Sequence, residues 1–196
     1  MNARTRVDRK QQILEVLARE LETHPGSRIT TAGLAQAVGV SEAALYRHFA
    51  SKAKMFESLI DFAEESVFSL INRILEQDQD AVMRCERITQ LLLGFSDRNP
   101  GITRILLGDA LVGENERLRA RVGKFFERVE TQLKQVLREA NLSDGPRAVA
   151  SIDASANQIM ALIEGRISQY ARTDFRRRPT EYLDEQWAVL RAGLFR

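Results

Sequence analysis

The chain has 196 residues, of which 44% are apolar and 29% are charged, and a net charge of +2, as expected for a globular protein that buries a core. No apolar run approaches the roughly 18 residues that a membrane-spanning helix needs, and the basic N-terminal segment lacks the apolar stretch of a signal peptide. Cys85 is the single cysteine, which excludes an internal disulfide, predicts a small core residue and is typical of the reducing cytoplasm.

The first predicted element is an amphipathic helix that opens near Asp8, with Gln11 as a partial capping box, and ends at the His-Pro-Gly sequence 24–26. Its apolar side chains recur at helical spacing: Ile13, Leu14, Leu17, Ala18 and Leu21. Similar periodicity continues through almost all of the chain, which contains only four prolines. The sequence therefore predicts an all-α fold of about nine helices.

Residues 29–52, ITTAGLAQAVGVSEAALYRHFASK, predict two short helices joined by a tight turn. A hydroxyl of Thr30 or Thr31 can cap the first helix, because N-cap oxygens accept hydrogen bonds from unpaired backbone N–H groups. Gly39 stands where a left-handed C-cap residue is needed, and Ser41 can cap the second helix. This pattern is that of a helix-turn-helix, whose second helix enters the major groove of DNA.

The second of these helices is predicted over residues 42–49, with Leu45 and Phe49 as its anchors to the core. Its other face is free, and the small side chains of Ala43 and Ala44 permit close approach to base edges, while neighbouring polar groups can donate to phosphates. The residues predicted to contact DNA are Thr30, Thr31, Ser41, Glu42, Ala43, Ala44, Tyr46, Arg47, His48 and Lys52. A plain helical hairpin with solvated polar side chains is the alternative interpretation.

The distribution of charge favours DNA binding. Residues 1–55 contain nine Lys/Arg and five Asp/Glu, a net charge of +4, whereas the rest of the chain contains 20 and 22, a net charge of −2. Because phosphate neutralisation supplies most of the affinity for nucleic acids, the N-terminal part is the expected docking end.

The middle of the chain predicts several consecutive helices. Ser51 is expected to cap a long one over residues 52–77, which spans ~38 Å at 1.5 Å per residue. The others are predicted at about 80–97, 101–109 and 114–140. The sequence Asn-Leu-Ser-Asp-Gly-Pro at 141–146 is the clearest predicted loop.

Two final helices are predicted at about 147–172 and 180–194, and their apolar faces are broader than one chain is expected to cover. The residues predicted to form a homodimer interface are Ile152, Ile159, Ile163, Ile167, Tyr170, Trp187 and Leu190. A dimer suits a pseudo-palindromic DNA site with half-sites about one turn, ~34 Å, apart. A bundle closed within one chain is the alternative. Residues 176–178, three consecutive arginines, are predicted to form a solvated connection.

No catalytic constellation is found in the sequence. Its two histidines, His24 and His48, are explained by a turn and by the predicted DNA-reading helix, and one cysteine with two histidines makes no credible zinc site. There is no phosphate-binding loop and no serine nucleophile motif. The sequence therefore predicts a protein that is not an enzyme and that needs no metal or cofactor.

The sequence ITTAGLAQAVGVS followed by EAALYRHFASK resembles the N-terminal domain of TetR-type transcriptional regulators, and the run from Leu45 to Lys52 is the most specific part of this likeness. Residues 91–111, 126–139 and the RRPTEY segment are similar to the nucleoid occlusion branch of that family. The resemblance implies a three-helix helix-turn-helix domain over residues 1–52 and a helical dimerisation and partner-binding domain over 53–196. It also implies that the last two helices form a four-helix bundle across a two-fold axis.

The resemblance leaves two mechanisms open for the second domain. In the common TetR mode, a small molecule shifts the helix predicted at 52–77 and releases DNA. In the nucleoid occlusion branch, a nucleoid-associated protein antagonises the division protein FtsZ by binding its acidic, apolar-studded C-terminal tail between the fourth and fifth helices. The residues that this branch implies here are Phe62, Leu91, Gly94, Arg98 and Asn99, whereas Leu70 stands where the branch has an arginine. Of these two mechanisms, binding of the FtsZ tail is favoured. No membrane partner is expected.

Overall fold

The computed structural model describes residues 3–78, 80–142 and 145–196, which form nine α-helices and one short 3₁₀ helix. The predicted all-α class is confirmed, since β pairing among these residues is limited to one bridge between Ala148 and Phe195. The helices are α1 Ala3–Thr23, α2 Thr31–Val38, α3 Glu42–Tyr46, α4 Lys52–Gln77, α5 Ala81–Arg98, α6 Pro100–Leu107, α7 Glu116–Asn141, α8 Ile152–Arg172 and α9 Leu183–Leu194, with the 3₁₀ helix at Asp109–Leu111 after α6.

Several helix ends differ from the sequence prediction. Helix α1 begins at Ala3 rather than near Asp8, because residues 3–7 contain neither proline nor glycine to stop it. Helix α8 begins at Ile152 rather than 147, because the Ser151 hydroxyl caps it by accepting from the Ala154 N–H. Helix α9 begins after Tyr182, which has a left-handed backbone with φ of 57°. Helix α7 continues to Asn141, into the predicted loop 141–146, whose residues 143–144 lie outside the described part.

The helices form two compact units that do not follow the predicted boundary after residue 52. The first unit contains the chain up to Glu64 together with residues 99–122, and the second contains residues 65–98 and 123–196. Helices α4 and α7 each contribute to both units. Helix α6 therefore belongs with the helix-turn-helix, an association that no local sequence pattern predicted.

Close packing of α6 on α1 explains this association. A Cβ atom added to Gly101 would lie 2.0 Å from the carbonyl oxygen of Ala18, so only glycine permits this approach. Ile102 and Ile105, on the same short helix, are buried at 4% and 0% exposure. The N-terminal helices thus share their apolar core with α6.

A buried arginine fastens the end of α1 to α6. Arg104 is 3% exposed, and its guanidinium donates to the carbonyl oxygens of Leu21 at 2.9 Å and His24 at 3.1 Å. It also donates to the Asp109 carboxylate at 2.8 Å. The last carbonyls of a helix have no partner within the helix, and a cation at that end is favoured by the helix dipole. Arg104 therefore acts as a tertiary cap for α1.

The core of the second unit contains the cysteine and an aromatic group. Cys85 is fully buried, as predicted, and desolvation raises the pKa of its thiol to about 12, so the thiol stays protonated. Phe68 and Phe125 pack edge to face at 5.5 Å between ring centroids. The exposed Arg128 lies over the outer face of Phe68, with 3.7 Å between its guanidinium carbon and the ring centroid.

The seven residues predicted to form the homodimer interface, here called the dimer stripe, are largely buried within one chain. This finding corrects the sequence prediction. Five of its seven side chains are at most 4% exposed within one chain: Ile159, Ile163, Ile167, Tyr170 and Trp187. Ile152 and Leu190 are half-buried. The stripe is covered because α8 and α9 pack on α5. The opposite faces of these helices carry small or exposed side chains: Ala154, Ala161, Gly165, Ala188, Val189, Ala192 and Gly193.

Candidate nucleic-acid interface

Local hydrogen bonds shape helix α2 as the sequence predicted. Thr30 is the N-cap, and its Oγ1 accepts from the Gly33 N–H at 3.1 Å. Leu34 and Val38 are buried, so one face of the helix belongs to the core. Gly39 ends the helix with φ of +76°, a left-handed conformation that costs glycine no steric strain. The predicted caps of this helix are confirmed.

Helix α3 has the predicted cap and anchors, although it is shorter than the predicted helix over residues 42–49. The Ser41 hydroxyl caps it by accepting from the Ala44 N–H at 3.2 Å. The helix ends at Tyr46 rather than at 49, because the chain tightens into a turn in which the His48 N–H donates to the Leu45 carbonyl at 3.0 Å. Leu45 at 0% and Phe49 at 6% exposure are both anchored in the core.

The remaining side chains of α3 face away from the core. Glu42, Ala43 and Arg47 are exposed, and Tyr46 is 45% exposed. Ala44 and His48, together with Thr31 before them, are half-buried, while Thr30 and Ser41 are exposed. Because the anchors Leu45 and Phe49 leave this surface uncovered, a short helix with small and polar side chains is presented to a partner. The arrangement has the form of a reading helix for a DNA major groove.

Lys52 is held inside the protein more than the sequence suggested. Its ammonium group donates to the Ile29 carbonyl at 2.8 Å and forms an ion pair with Glu114. The side chains of Lys52 and Glu114 are only 16% and 10% exposed. In this conformation Lys52 joins the start of α4 to Ile29, the residue before the Thr30 cap, so it orients the helix-turn-helix. A phosphate contact would have to compete with both partners.

The cations around α3 differ in how free they are. Lys54 pairs with Glu57 at 2.5 Å, and this hydrogen bond lowers the pKa of the Glu57 carboxyl. Lys10 lies over the Phe49 ring, 5.5 Å from its centroid. Arg47, in contrast, forms no ion pair with any residue that the structure describes. Its guanidinium is therefore the group on this surface most available to a phosphate.

Sequence reasoning missed Glu114, which is separated from Lys52 by 62 positions and sits among residues that predicted only a helix start. No local signal could reveal this pair, since acidic residues are common at the start of a helix.

Within residues 3–78, 80–142 and 145–196, no group of three or more His, Cys, Asp or Glu could hold a metal ion. No described helix is long and apolar enough to cross a bilayer.

The residues implied for partner binding fall in both units. Phe62, 48% exposed, and the half-buried Asn99 are described with the first unit. Leu91 and Gly94 are half-buried and Arg98 is exposed, all three on α5 of the second unit. The second unit also includes Leu70, on α4, which is 38% exposed. Leu91, Gly94 and Arg98 therefore share one helix of the second unit, whereas Phe62 and Asn99 belong to the first unit.

The all-α fold and the exposed α3 define a helix-turn-helix regulator of the TetR class. Residues 13–59 match the family described as bacterial regulatory proteins, tetR family, and residues 79–194 match the SlmA-like tetracyclin repressor-like C-terminal domain. The chain is 54% identical to the nucleoid occlusion factor SlmA of Shewanella amazonensis, over 99% of this chain and 98% of the relative, and 56% identical to that of Alteromonas mediterranea, over 97% and 98%. The chain thus belongs to the SlmA nucleoid occlusion factors of the TetR family, which are DNA-binding regulators rather than enzymes.

Solved structures support the fold assignment. The MbdR regulator from Azoarcus has a TM-score of 0.81 at 16% identity, covering 95% of this chain and 98% of that chain. A TetR transcription regulator from Haloarcula marismortui has a TM-score of 0.78 at 18% identity, covering 97% and 100%. Identities this low show a shared fold, and the functional assignment depends on the relatives above.

Proposed function

We propose that the chain binds pseudo-palindromic sites on the chromosome as a dimer, through the exposed face of α3, and so associates with the nucleoid. The observation that carries this proposal is the capped and anchored reading helix, with Leu45 and Phe49 buried while Tyr46 and Arg47 face outward. The two-fold partner would pack on the small side chains of α8 and α9. Positions 165 and 193 support this, because a Cβ added to either glycine would meet no atom within 4 Å, so a second helix has room to approach.

Replacement of Arg47 by glutamine is expected to weaken binding to specific and non-specific DNA alike by about fivefold, ~1 kcal/mol, and to lower the slope of log affinity against log salt by about 1. The reason is the loss of one phosphate-neutralising cation that has no partner within the described residues. Fluorescence anisotropy at several salt concentrations measures both quantities. Arg138→Gln, an exposed arginine on α7, is the matched control and should leave binding unchanged. Equal effects of both substitutions would contradict the assignment of α3.

We further propose that the C-terminal domain binds the acidic tail of FtsZ and thereby antagonises FtsZ assembly. Membership of the SlmA family motivates this function, and the surface of α5 supports it within the second unit. Leu91 and the exposed Leu70 offer apolar contact area, and Arg98 offers a cation without an ion-pair partner in the described residues.

A titration with a fluorescent peptide of the FtsZ tail tests this proposal. Arg98→Asp and Leu91→Glu are each expected to lower peptide affinity by at least about tenfold, because the first reverses an attractive charge and the second places a charge in an apolar contact. Affinity for DNA should be unaffected in both variants. If the unmodified protein shows no saturable peptide binding, with or without DNA, a repressor that responds to a small molecule becomes the better assignment.

A further inference from the structure

The carboxylate of Asp97, in the last turn of α5, is bound from the connection between α8 and α9. The guanidinium of Arg178 donates to it with two nitrogens, at 2.5 Å and 3.1 Å from Oδ2, and the Thr180 hydroxyl lies 3.2 Å from the same oxygen. These contacts lower the pKa of the Asp97 carboxyl, with the Arg178 hydrogen bond as the largest cause. The Tyr170 hydroxyl also donates to the backbone carbonyl of Asp97 at 3.3 Å.

The backbone that carries Arg178 is itself fixed. Arg166, 4% exposed, donates to the carbonyl oxygens of Arg178 at 2.9 Å, Pro179 at 3.1 Å and Glu181 at 2.6 Å. A buried guanidinium with three carbonyl acceptors holds this connection in one conformation. Arg178 is exposed at its side chain, but its position relative to Asp97 is therefore set by the interior of the second unit.

Arg98 follows Asp97 directly and lies over Gly94. A Cβ added to Gly94 would be 3.3 Å from one terminal nitrogen of the Arg98 guanidinium, which therefore folds back along α5 by one helical turn. No carboxylate among the described residues forms an ion pair with Arg98. The charge of Arg98 is thus displayed on α5 beside Gly94 and available to an anionic partner.

Asp97 and Arg98 present opposite charges on adjacent residues, whose Cα atoms lie about 3.8 Å apart. A free carboxylate at Asp97 would repel an acidic peptide and would attract the Arg98 guanidinium away from it. Because Arg178 neutralises Asp97 and holds it toward the α8–α9 connection, the charge of Arg98 dominates this end of α5.

We propose that Arg178 is a positioning residue for peptide binding, which acts by neutralising Asp97 so that Arg98 meets the acidic part of the tail. This inference rests on the proposed binding of the FtsZ tail. The connection between α8 and α9 would thereby contribute to partner recognition.

The same fluorescent tail peptide tests this inference with the full chain. Arg178→Ala should weaken peptide binding by about three- to fivefold, the range of an exposed charge interaction. Asp97→Asn should leave affinity unchanged or raise it, since it removes the repulsive charge. The double variant Asp97→Asn with Arg178→Ala should recover affinity to within about twofold of the unmodified protein. Arg138→Ala, at the far end of α7, is the control for loss of one exposed arginine.

The double variant separates neutralisation from a structural clamp. If the pair merely holds α5 to the α8–α9 connection, Asp97→Asn will weaken binding and the double variant will not recover, which would overturn the inference. If the unmodified protein fails to bind the peptide, the proposed function fails before this comparison is reached. If Arg98→Asp abolishes binding while Arg178→Ala has no effect, the proposed function stands and the role of Arg178 is refuted.

Discussion

Replacing Gly101 by alanine is expected to destabilise the protein by about 3 kcal/mol or more, because the new methyl group would lie 2.0 Å from the Ala18 carbonyl oxygen. The obstacle is backbone rather than a flexible side chain, so α1 and α6 would have to separate. Their shared core, including Ile102 and Ile105, would be opened to water. For a chain of this length, a loss of that size lowers the melting temperature by about 6–12 °C. Thermal unfolding followed by circular dichroism measures the shift.

Gly123→Ala is the matched control for this prediction. Gly123 also lies inside a helix, but a Cβ added there would meet nothing within 4 Å. Alanine has the higher helix propensity, so this variant should be stabilised by up to about 1 kcal/mol. Opposite signs for two chemically identical substitutions would identify close helix approach as the cause. A Gly101→Ala variant as stable as the unmodified protein would show that α1 and α6 do not pack as described.

The second large effect is expected at Arg104. Arg104→Leu should cost about 3 kcal/mol, since the carbonyl oxygens of Leu21 and His24 would lose their donor in a site from which water is excluded. Leucine fills much of the same space, so the loss reports mainly on the polar contacts. Urea unfolding measures the free energy, and hydrogen exchange should show local loss of protection at the end of α1.

Two further variants define the cause of this effect. Arg104→Lys keeps the charge but cannot reach three separate acceptors, so it should recover only part of the stability. Arg117→Leu removes an exposed arginine from the same unit and should change stability by less than about 0.5 kcal/mol. If Arg104→Leu were as mild as Arg117→Leu, the guanidinium would not be the cap of α1. The DNA affinity of Arg104→Lys would show how strongly the packing of α6 on α1 affects DNA binding by the helix-turn-helix.

The reading helix illustrates how much of the site could be predicted. Spacings of three or four residues predict the Ser41 cap and the anchors Leu45 and Phe49, and they leave the cap of α2 open between Thr30 and Thr31, of which the structure uses Thr30. The helix end at Tyr46 was not, because it depends on how tightly the following turn packs. The TetR family could also be predicted, since its most specific motif lies within this local segment, whereas the nucleoid occlusion branch was indicated by residues 91–111, 126–139 and the RRPTEY segment.

The dimer stripe on α8 illustrates a feature that the sequence could not decide. Periodicity correctly placed Ile159, Ile163 and Ile167 on one face, but it could not say which surface covers that face. A neighbouring helix of the same chain and a helix of a partner chain bury apolar side chains by the same physical effect, and the hydrophobic pattern is identical for both. The interface was therefore predicted on the internal face of the helix.

Local bonding made the helix caps and the left-handed turn at Gly39 predictable from the amino acids alone, and apolar character and helical spacing did the same for the outward face of α3 and the buried Cys85. Contacts between distant groups became visible only in the folded chain, as in the pairing of Lys52 with Glu114, of Arg178 with Asp97, and of α6 with α1 through Gly101. The two groups of features differ in the distance along the chain over which the responsible interactions act. Capping energies and backbone preferences act within one helical turn, whereas the partner of a charge or an apolar face is chosen by how the whole chain excludes water.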